Sequence, residues 1–112
     1  MTKSEAREKQ QKMLKTVRFI AKKKGMKLKD LESAIGVSTG YISRCDGNSK
    51  KNISVIVVML AADYLGVSVN DLFDPDFIKK SELEELANEM NELDQKRAAL
   101  EKRRKEIEDD AT

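Results

Sequence analysis

The chain has 112 residues, of which 38% are charged and only 4% aromatic, a composition that fits a small helical domain filled by aliphatic side chains. It has one Cys and no His, so it cannot form an internal disulfide, and a zinc site is not expected. No apolar run approaches the roughly 18–20 residues of a membrane span, and the amino-terminal stretch lacks the apolar segment of a secretory signal. We therefore expect a cytoplasmic protein without a cofactor, a metal or membrane contact.

The net charge of +2 is unevenly distributed along the chain. Residues 1–51 hold 14 Lys or Arg against 5 Asp or Glu, residues 52–78 hold no base and 4 acids, and residues 79–112 hold 8 bases and 11 acids. The amino-terminal part is therefore basic and the rest is acidic. We expect a partner with a negative surface to be attracted to the basic part alone.

The first predicted helix starts in a polar extension, residues 1–12, and continues into an apolar stripe with helical spacing. The stripe consists of Met13, Leu14, Val17, Ile20 and Ala21. Gly25 is expected to end the helix, directly after the cluster Lys22, Lys23 and Lys24. This cluster suits the negative end of the helix dipole, so it is interpreted either as a solvated face or as a site that contacts phosphate groups.

Residues 26–46 predict two further helices that meet at a tight corner. Apolar residues three and four positions apart give each helix one buried face. These residues are Leu28, Leu31 and Ile35 in the second helix, and Ile42 and Cys45 in the third. Gly36 can adopt a positive φ and end the second helix, while Ser38 is a good N-cap for the third, which is predicted to span residues 38–46. Such a corner is a helix-turn-helix.

The apolar run from Ile53 to Leu65 is rich in β-branched residues and could form a buried strand. It is too long for one strand, however, and no other strand is predicted that would pair with it. We therefore predict a helix that is capped by Ser54 and ends at Gly66. Because this helix is apolar nearly all round, it either lies wholly within the core or leaves one side for a second copy of the chain.

A short fifth helix is predicted after Ser68, whose hydroxyl can form a capping box with Asp71. Leu72 and Phe73 are expected to close the core. The spacing of these elements predicts a compact domain over residues 13–74.

The last predicted helix runs from Pro75 to about Asp109, within a third segment, residues 75–112. Its apolar residues recur at spacings of 3, 4, 3, 7 and 7, which defines a heptad seam interrupted by two arginines. The seam consists of Leu83, Leu86, Met90, Leu93, Leu100 and Ile107. It predicts a coiled coil that forms a dimer, with a single solvated helix as the alternative. Residues 81–94 are rich in acids and residues 95–105 are rich in bases. This distribution favours an antiparallel pair of helices over a parallel one, and a four-helix arrangement is also open.

Two sequence patterns resemble the Cro/repressor (Xre-like) family of helix-turn-helix transcriptional regulators. They are L-x-x-x-I-G-V-S-x-x-Y-I-S-R, ending at Arg44, and A-x-x-L-G-V-S-x-x-x-L-F, ending at Phe73. The resemblance covers roughly residues 13–73. It implies an all-α fold in which a five-helix lambda-repressor-like DNA-binding domain precedes the long C-terminal coiled-coil helix.

The resemblance also implies a function. The protein is expected to bind double-stranded DNA as a homodimer and to act as a sequence-specific transcriptional repressor in a bacterium or phage. Residues 38–46, which we call the recognition segment, would lie in the major groove. The residues expected to contact bases are Ser38, Thr39, Gly40, Ser43 and Arg44. The residues expected to contact phosphates are Lys22, Lys23, Lys24, Tyr41, Lys50 and Lys51.

Some of these residues have a second interpretation. Arg44 could instead bind a phosphate or pair with Asp46 or Glu32, and the role of Tyr41 could be packing alone. The family has a small Ala four residues before the turn glycine, so Glu32 is expected either to turn outward or to widen the helix crossing. Cys45 is expected to be a small core residue, with a redox switch as the alternative.

A second class of function is an adaptor or antitoxin-like protein, whose coiled coil binds another protein and for which DNA binding is secondary. An enzyme is not expected, because the sequence has no visible nucleophile–base pair, phosphate loop or metal cluster. A dimer that binds specific DNA would favour the regulator. A monomer that orders only with a partner protein would favour the adaptor.

Overall fold

A computed structural model of the chain describes residues 1–46 and 51–110. These residues form six helices and no strand, which confirms the all-α prediction of five helices followed by one long helix. The helices are α1 (Lys3–Lys23), α2 (Leu28–Ile35), α3 (Tyr41–Arg44), α4 (Val55–Leu65), α5 (Val69–Phe73) and α6 (Phe77–Asp110). The chain divides into two units, one of residues 1–78 and one from Lys79 onward. Residues 47–49, whose composition predicts a turn, lie outside the described residues.

Helix α1 includes the polar extension. It begins at Lys3, where the Thr2 hydroxyl accepts a hydrogen bond from the amide of Glu5 at 3.1 Å, an N-cap that satisfies one free amide of the first turn. The predicted apolar stripe of α1 is buried in the core of the first unit. Gln10, which lies on the same face one turn before Met13, is buried as well.

The β-branched run, which could have formed either a strand or a helix, forms helix α4. The Ser54 hydroxyl accepts from the amide of Ile56 at 3.2 Å, and Gly66 ends the helix with a φ of 74°, as predicted. The buried face consists of Val57, Val58, Ala61, Ala62 and Leu65. The opposite face is exposed and consists of Val55, Ile56, Met59, Leu60 and Tyr64. The helix therefore does not lie wholly within the core.

The segment that follows α5 departs from the prediction in two details. Ser68 and Asp71 form the expected capping box, and Leu72 is buried, but Phe73 is 46% exposed and does not close the core. Successive residues of a helix lie about 100° apart around its axis, and in this short helix only Leu72 faces the core. The last helix begins at Phe77 instead of Pro75, because the carboxylate of Asp74 accepts from the amide of Asp76 at 2.9 Å and holds a turn there.

Helix α6 has no buried residue along its 34 positions. Its predicted seam residues are between 52 and 65% exposed. The heptad stripe is therefore present as an apolar line on a helix roughly 50 Å long. In the part of the chain that the structure describes, no helix is long and apolar enough to cross a membrane.

Candidate nucleic-acid interface

The corner between α2 and α3 forms as predicted. Gly36 adopts a left-handed conformation with a φ of 80° and ends α2, and the amide of Val37 donates to the carbonyl of Glu32 at 3.0 Å. The side chains of Leu31 and Ile42 are 0 and 1% exposed and join the two helices to the core of the first unit. The polar face of the recognition segment is thereby carried on a firmly packed base.

The predicted start and end of the third helix are wrong. Helix α3 covers only Tyr41–Arg44, and its N-cap is Gly40 instead of Ser38. Gly40 has a φ of 87°, a left-handed conformation that an α-helix cannot continue through. The carbonyl of Ser38 instead accepts a hydrogen bond from the amide of Tyr41 at 3.0 Å, in a turn that precedes the helix. The recognition segment is thus a turn followed by one short helix.

Glu32 turns inward, so the outward orientation, one of the two expected alternatives, is wrong. Its side chain is 1% exposed, and its two carboxylate oxygens accept from the amides of Gly40 at 3.1 Å and Ile42 at 2.8 Å. A carboxylate at a helix N-terminus satisfies free amides and interacts favourably with the helix dipole. Glu32 therefore caps α3 from α2. The sequence carried one signal of this contact, because the family usually has a small residue where this chain has the charged Glu32.

The candidate base-contacting residues lie together on the surface of the recognition segment. Ser38, Thr39, Ser43 and Arg44 are exposed, and Gly40 is half-buried. The Arg44 Nη2 donates to the Ser38 Oγ at 3.2 Å, so the guanidinium lies back over the turn. A Cβ atom at Gly40 would lie 3.3 Å from the Arg44 Nη1, so the absence of a side chain at Gly40 leaves room for the Arg44 guanidinium.

Tyr41 and Lys51 form the edge of this surface. The Tyr41 hydroxyl accepts from the amide of Ser54 at 3.1 Å, which leaves its own proton available to donate to another group. The Lys51 Nζ lies 4.8 Å from the centroid of the Tyr41 ring, a cation–π contact. The structure therefore brings together two of the six candidate phosphate ligands. Lys50 lies outside the described residues.

The lysine cluster lies at the C-terminal end of α1, on a different element from the recognition segment. Lys22, Lys23 and Lys24 are all exposed, and Lys22 and Lys23 occupy the last turn of the helix. The Lys23 Nζ also lies 5.5 Å from the centroid of the Phe19 ring. The position suits both interpretations of the cluster, since the helix dipole favours positive charge there whether or not a phosphate is bound.

Gln10 was not predicted as a site residue, yet its amide contacts the main chain at the end of α3 and again just before α4. Its Nε2 donates to the carbonyls of Cys45 at 2.9 Å and Lys51 at 3.1 Å, and its Oε1 accepts from the amide of Ile53 at 3.0 Å. The available signal was spacing, because Gln10 continues the buried stripe of α1 by one turn. The polar extension therefore contributes to the candidate interface.

Cys45 is fully buried in the core, at 0% exposure. Desolvation raises the pKa of its thiol above the ordinary value of 9.0, and the nearby charges of Lys51 and Arg44 oppose that shift only in part. The residue therefore behaves as a small apolar group at the base of the recognition segment.

Within residues 1–46 and 51–110, no three His, Cys, Asp or Glu side chains converge on a metal-binding position.

Comparison with known families matches residues 17–77 to the model of the Cro/C1-type helix-turn-helix DNA-binding domain. The match covers more than half of the 112 residues and includes the whole recognition segment. No curated protein and no solved structure matches the chain. The family match supports a DNA-binding regulator of transcription and does not favour the adaptor interpretation.

Proposed function

The chain belongs to the Cro/C1-type helix-turn-helix DNA-binding domain family, and we propose that it is a sequence-specific transcriptional repressor that binds duplex DNA as a homodimer. The observation that carries this proposal is the exposed polar surface of the recognition segment. Ser38, Thr39, Ser43 and Arg44 are displayed there on a base that Glu32 and Ile42 hold in place. Side chains that are exposed but rigidly supported suit the reading of base edges.

Arg44 is the proposed main base contact. A guanidinium can donate two hydrogen bonds to the O6 and N7 of guanine, which discriminates against the wrong base by roughly 1–3 kcal/mol. The hydrogen bond from Arg44 to the Ser38 Oγ holds the guanidinium on the exposed side of the turn. Thr39 and Ser43 are proposed to contact neighbouring base edges, and Gly40 to permit close approach of the backbone.

The phosphate backbone is proposed to bind at the edge of this surface and at the lysine cluster that ends α1. The ligands proposed for it are Lys22, Lys23, Lys24, Tyr41, Lys50 and Lys51. The Lys51 ammonium lies over the Tyr41 ring, and the Tyr41 hydroxyl accepts from the Ser54 amide and can donate its own proton. Each phosphate that a lysine neutralises releases counterions, so the affinity for DNA should fall steeply with salt.

The homodimer is proposed to form through the seam of α6. All six seam residues are more than half exposed, an apolar line that a second helix with the same spacing would cover. Arg97 and Arg104 interrupt the seam and limit its strength. A dimer would present two recognition segments to two half-sites, as the pseudo-palindromic operators of helix-turn-helix dimers require.

The test is selection of bound oligonucleotides from a random pool, followed by titration of the selected duplex at several salt concentrations. We expect one enriched motif with two related half-sites and an affinity that falls by at least tenfold between 50 and 200 mM salt, if several phosphates are bound. The spacing of the half-sites would report the geometry of the dimer. A pool without enrichment, together with affinity that does not depend on salt, would overturn the proposal.

A further inference from the structure

Gln10 joins the N-terminal extension of α1 to the main chain at the end of α3 and just before α4. Its side chain is 9% exposed and makes three hydrogen bonds, to the carbonyls of Cys45 and Lys51 and from the amide of Ile53. The partners lie 35, 41 and 43 positions away in the sequence. Both protons of the amide nitrogen are therefore used, and a single side chain holds three separate points of the backbone.

The position of these bonds determines what they hold. Cys45 is the C-cap of α3, and its carbonyl is one of the groups that a helix end leaves without an intrahelical partner. The same nitrogen of Gln10 also binds the carbonyl of Lys51, whose ammonium lies over the Tyr41 ring. Gln10 thus ties the end of α3 to the main chain of the proposed phosphate ligand Lys51.

We propose that Gln10 is a positioning residue for phosphate binding by Lys51, and this inference rests on the proposed function. With the amide in place, Lys51 and the recognition segment meet the duplex as one preorganised surface. Without it, the main chain at Lys51 would have to be ordered when DNA binds, at a cost that offsets the gain from one phosphate contact, so the contact of Lys51 is lost. Gln10 does not itself touch DNA in this arrangement.

The test compares Gln10→Met, Lys51→Gln and the double variant in titrations of the selected duplex across a salt series. Methionine has a similar length but donates no hydrogen bond, so it releases Lys51 while filling the space. Loss of one phosphate contact lowers the slope of log affinity against log salt by about 0.9, which is roughly eightfold weaker binding in 0.1 M salt. We expect Gln10→Met to reproduce most of this change, and to add little to it in the Lys51→Gln background.

A purely structural role makes a different prediction. A variant that only reduces the folded fraction lowers the apparent affinity but leaves the salt slope unchanged, and its effect multiplies with that of Lys51→Gln. Either result would overturn the inference while leaving the proposed function intact. Wild-type protein that shows no salt-dependent DNA binding would overturn both.

Two further measurements guard against loss of folding. Urea unfolding of Gln10→Met gives its folded fraction, so that the affinities of the variant and of the wild type are compared at equal folded fraction. Gln11→Met is the matched control, because Gln11 Nε2 donates to the Cys45 carbonyl at 3.2 Å while the bonds of Gln10 stay in place. We expect the wild-type slope for this control, and a slope lowered as much as in Gln10→Met would contradict the inference.

Discussion

Glu32 and Ile42 are joined by a hydrogen bond of 2.8 Å from the Ile42 amide to the Glu32 carboxylate, in a position where the Glu32 side chain is 1% exposed. The bond links α2 to the first turn of α3. It makes the two helices of the corner one unit, because a second carboxylate oxygen binds the amide of Gly40 at 3.1 Å.

Replacement of Glu32 by Ala should destabilise the first unit by roughly 2–3 kcal/mol. The Ile42 amide becomes a buried donor without a partner, which costs about 1–3 kcal/mol, and the partly buried Gly40 amide adds less because water can replace its acceptor. Urea unfolding should therefore show a lower midpoint with an unchanged slope. Ser33→Ala, an exposed change on the same helix, should leave the midpoint nearly unchanged. Equal midpoints for the two variants would refute the capping role.

Gly40→Ala and Gly36→Ala form a matched pair. Both glycines have positive φ, at 87 and 80°, so each substitution should cost about 1–2 kcal/mol of stability. Only at Gly40 does the added Cβ approach another group, the Arg44 Nη1 at 3.3 Å. We expect Gly40→Ala alone to weaken binding to the selected duplex beyond its loss of stability. Binding by gel shift, compared at equal folded fraction, checks this, and equal losses in both variants would count against it.

Arg44→Lys should relax specificity at one guanine position. A lysine keeps the positive charge but cannot donate two parallel hydrogen bonds, so discrimination at that base pair should fall by roughly 1–3 kcal/mol. The measurement is competition between the selected duplex and its single-base variants. Arg103→Lys on α6 is the control and should leave the preferences unaltered. If Arg44 contacts only phosphate, all duplexes will weaken equally and the base assignment is wrong.

Leu93→Asn combined with Leu100→Asn should abolish the dimer while leaving residues 13–73 folded. Both leucines are 65% exposed in the single chain, so the substitution removes apolar surface that only a second helix would cover. Sedimentation equilibrium should then give the mass of one chain. Ala98→Asn combined with Ala99→Asn places the same residue outside the seam and should stay dimeric. Unchanged sedimentation of the leucine variant would exclude the coiled coil.

Stability should fall above pH 9 through the thiol of Cys45. Burial raises the pKa of this thiol in the folded chain above its ordinary value of 9.0, so the unfolded chain loses the proton first as the pH rises. The contribution is therefore constant below pH 9 and decreases above it, by at most about 1.4 kcal/mol per pH unit. The measurement is the difference in unfolding midpoints between wild type and Cys45→Ala at pH 8 and pH 10, a comparison in which contributions common to both chains cancel. A difference that does not change with pH would contradict the burial argument.

Local sequence was sufficient for most of the helices. Gly36 and Gly66 end α2 and α4 because glycine can adopt a positive φ without a steric penalty. Ser54 caps α4 by accepting a hydrogen bond from an amide two positions away. The heptad spacing of α6 is likewise a property of sequence alone. Periodicity and caps act within one or two turns, so they are legible before the chain folds.

The details of the candidate interface depend on contacts between distant segments. The sequence predicted Ser38 as the cap of α3, whereas the Glu32 carboxylate, eight positions before Gly40, stabilises the start at Gly40. Gln10 acquires its role only when Cys45, Lys51 and Ile53 are brought to it by the packing of α1. The sequence by itself determined which helices form and which residues are charged or apolar. Tertiary structure decided which polar side chains are buried as supports and which remain exposed, because burial of a polar group depends on partners that only folding brings within hydrogen-bond distance.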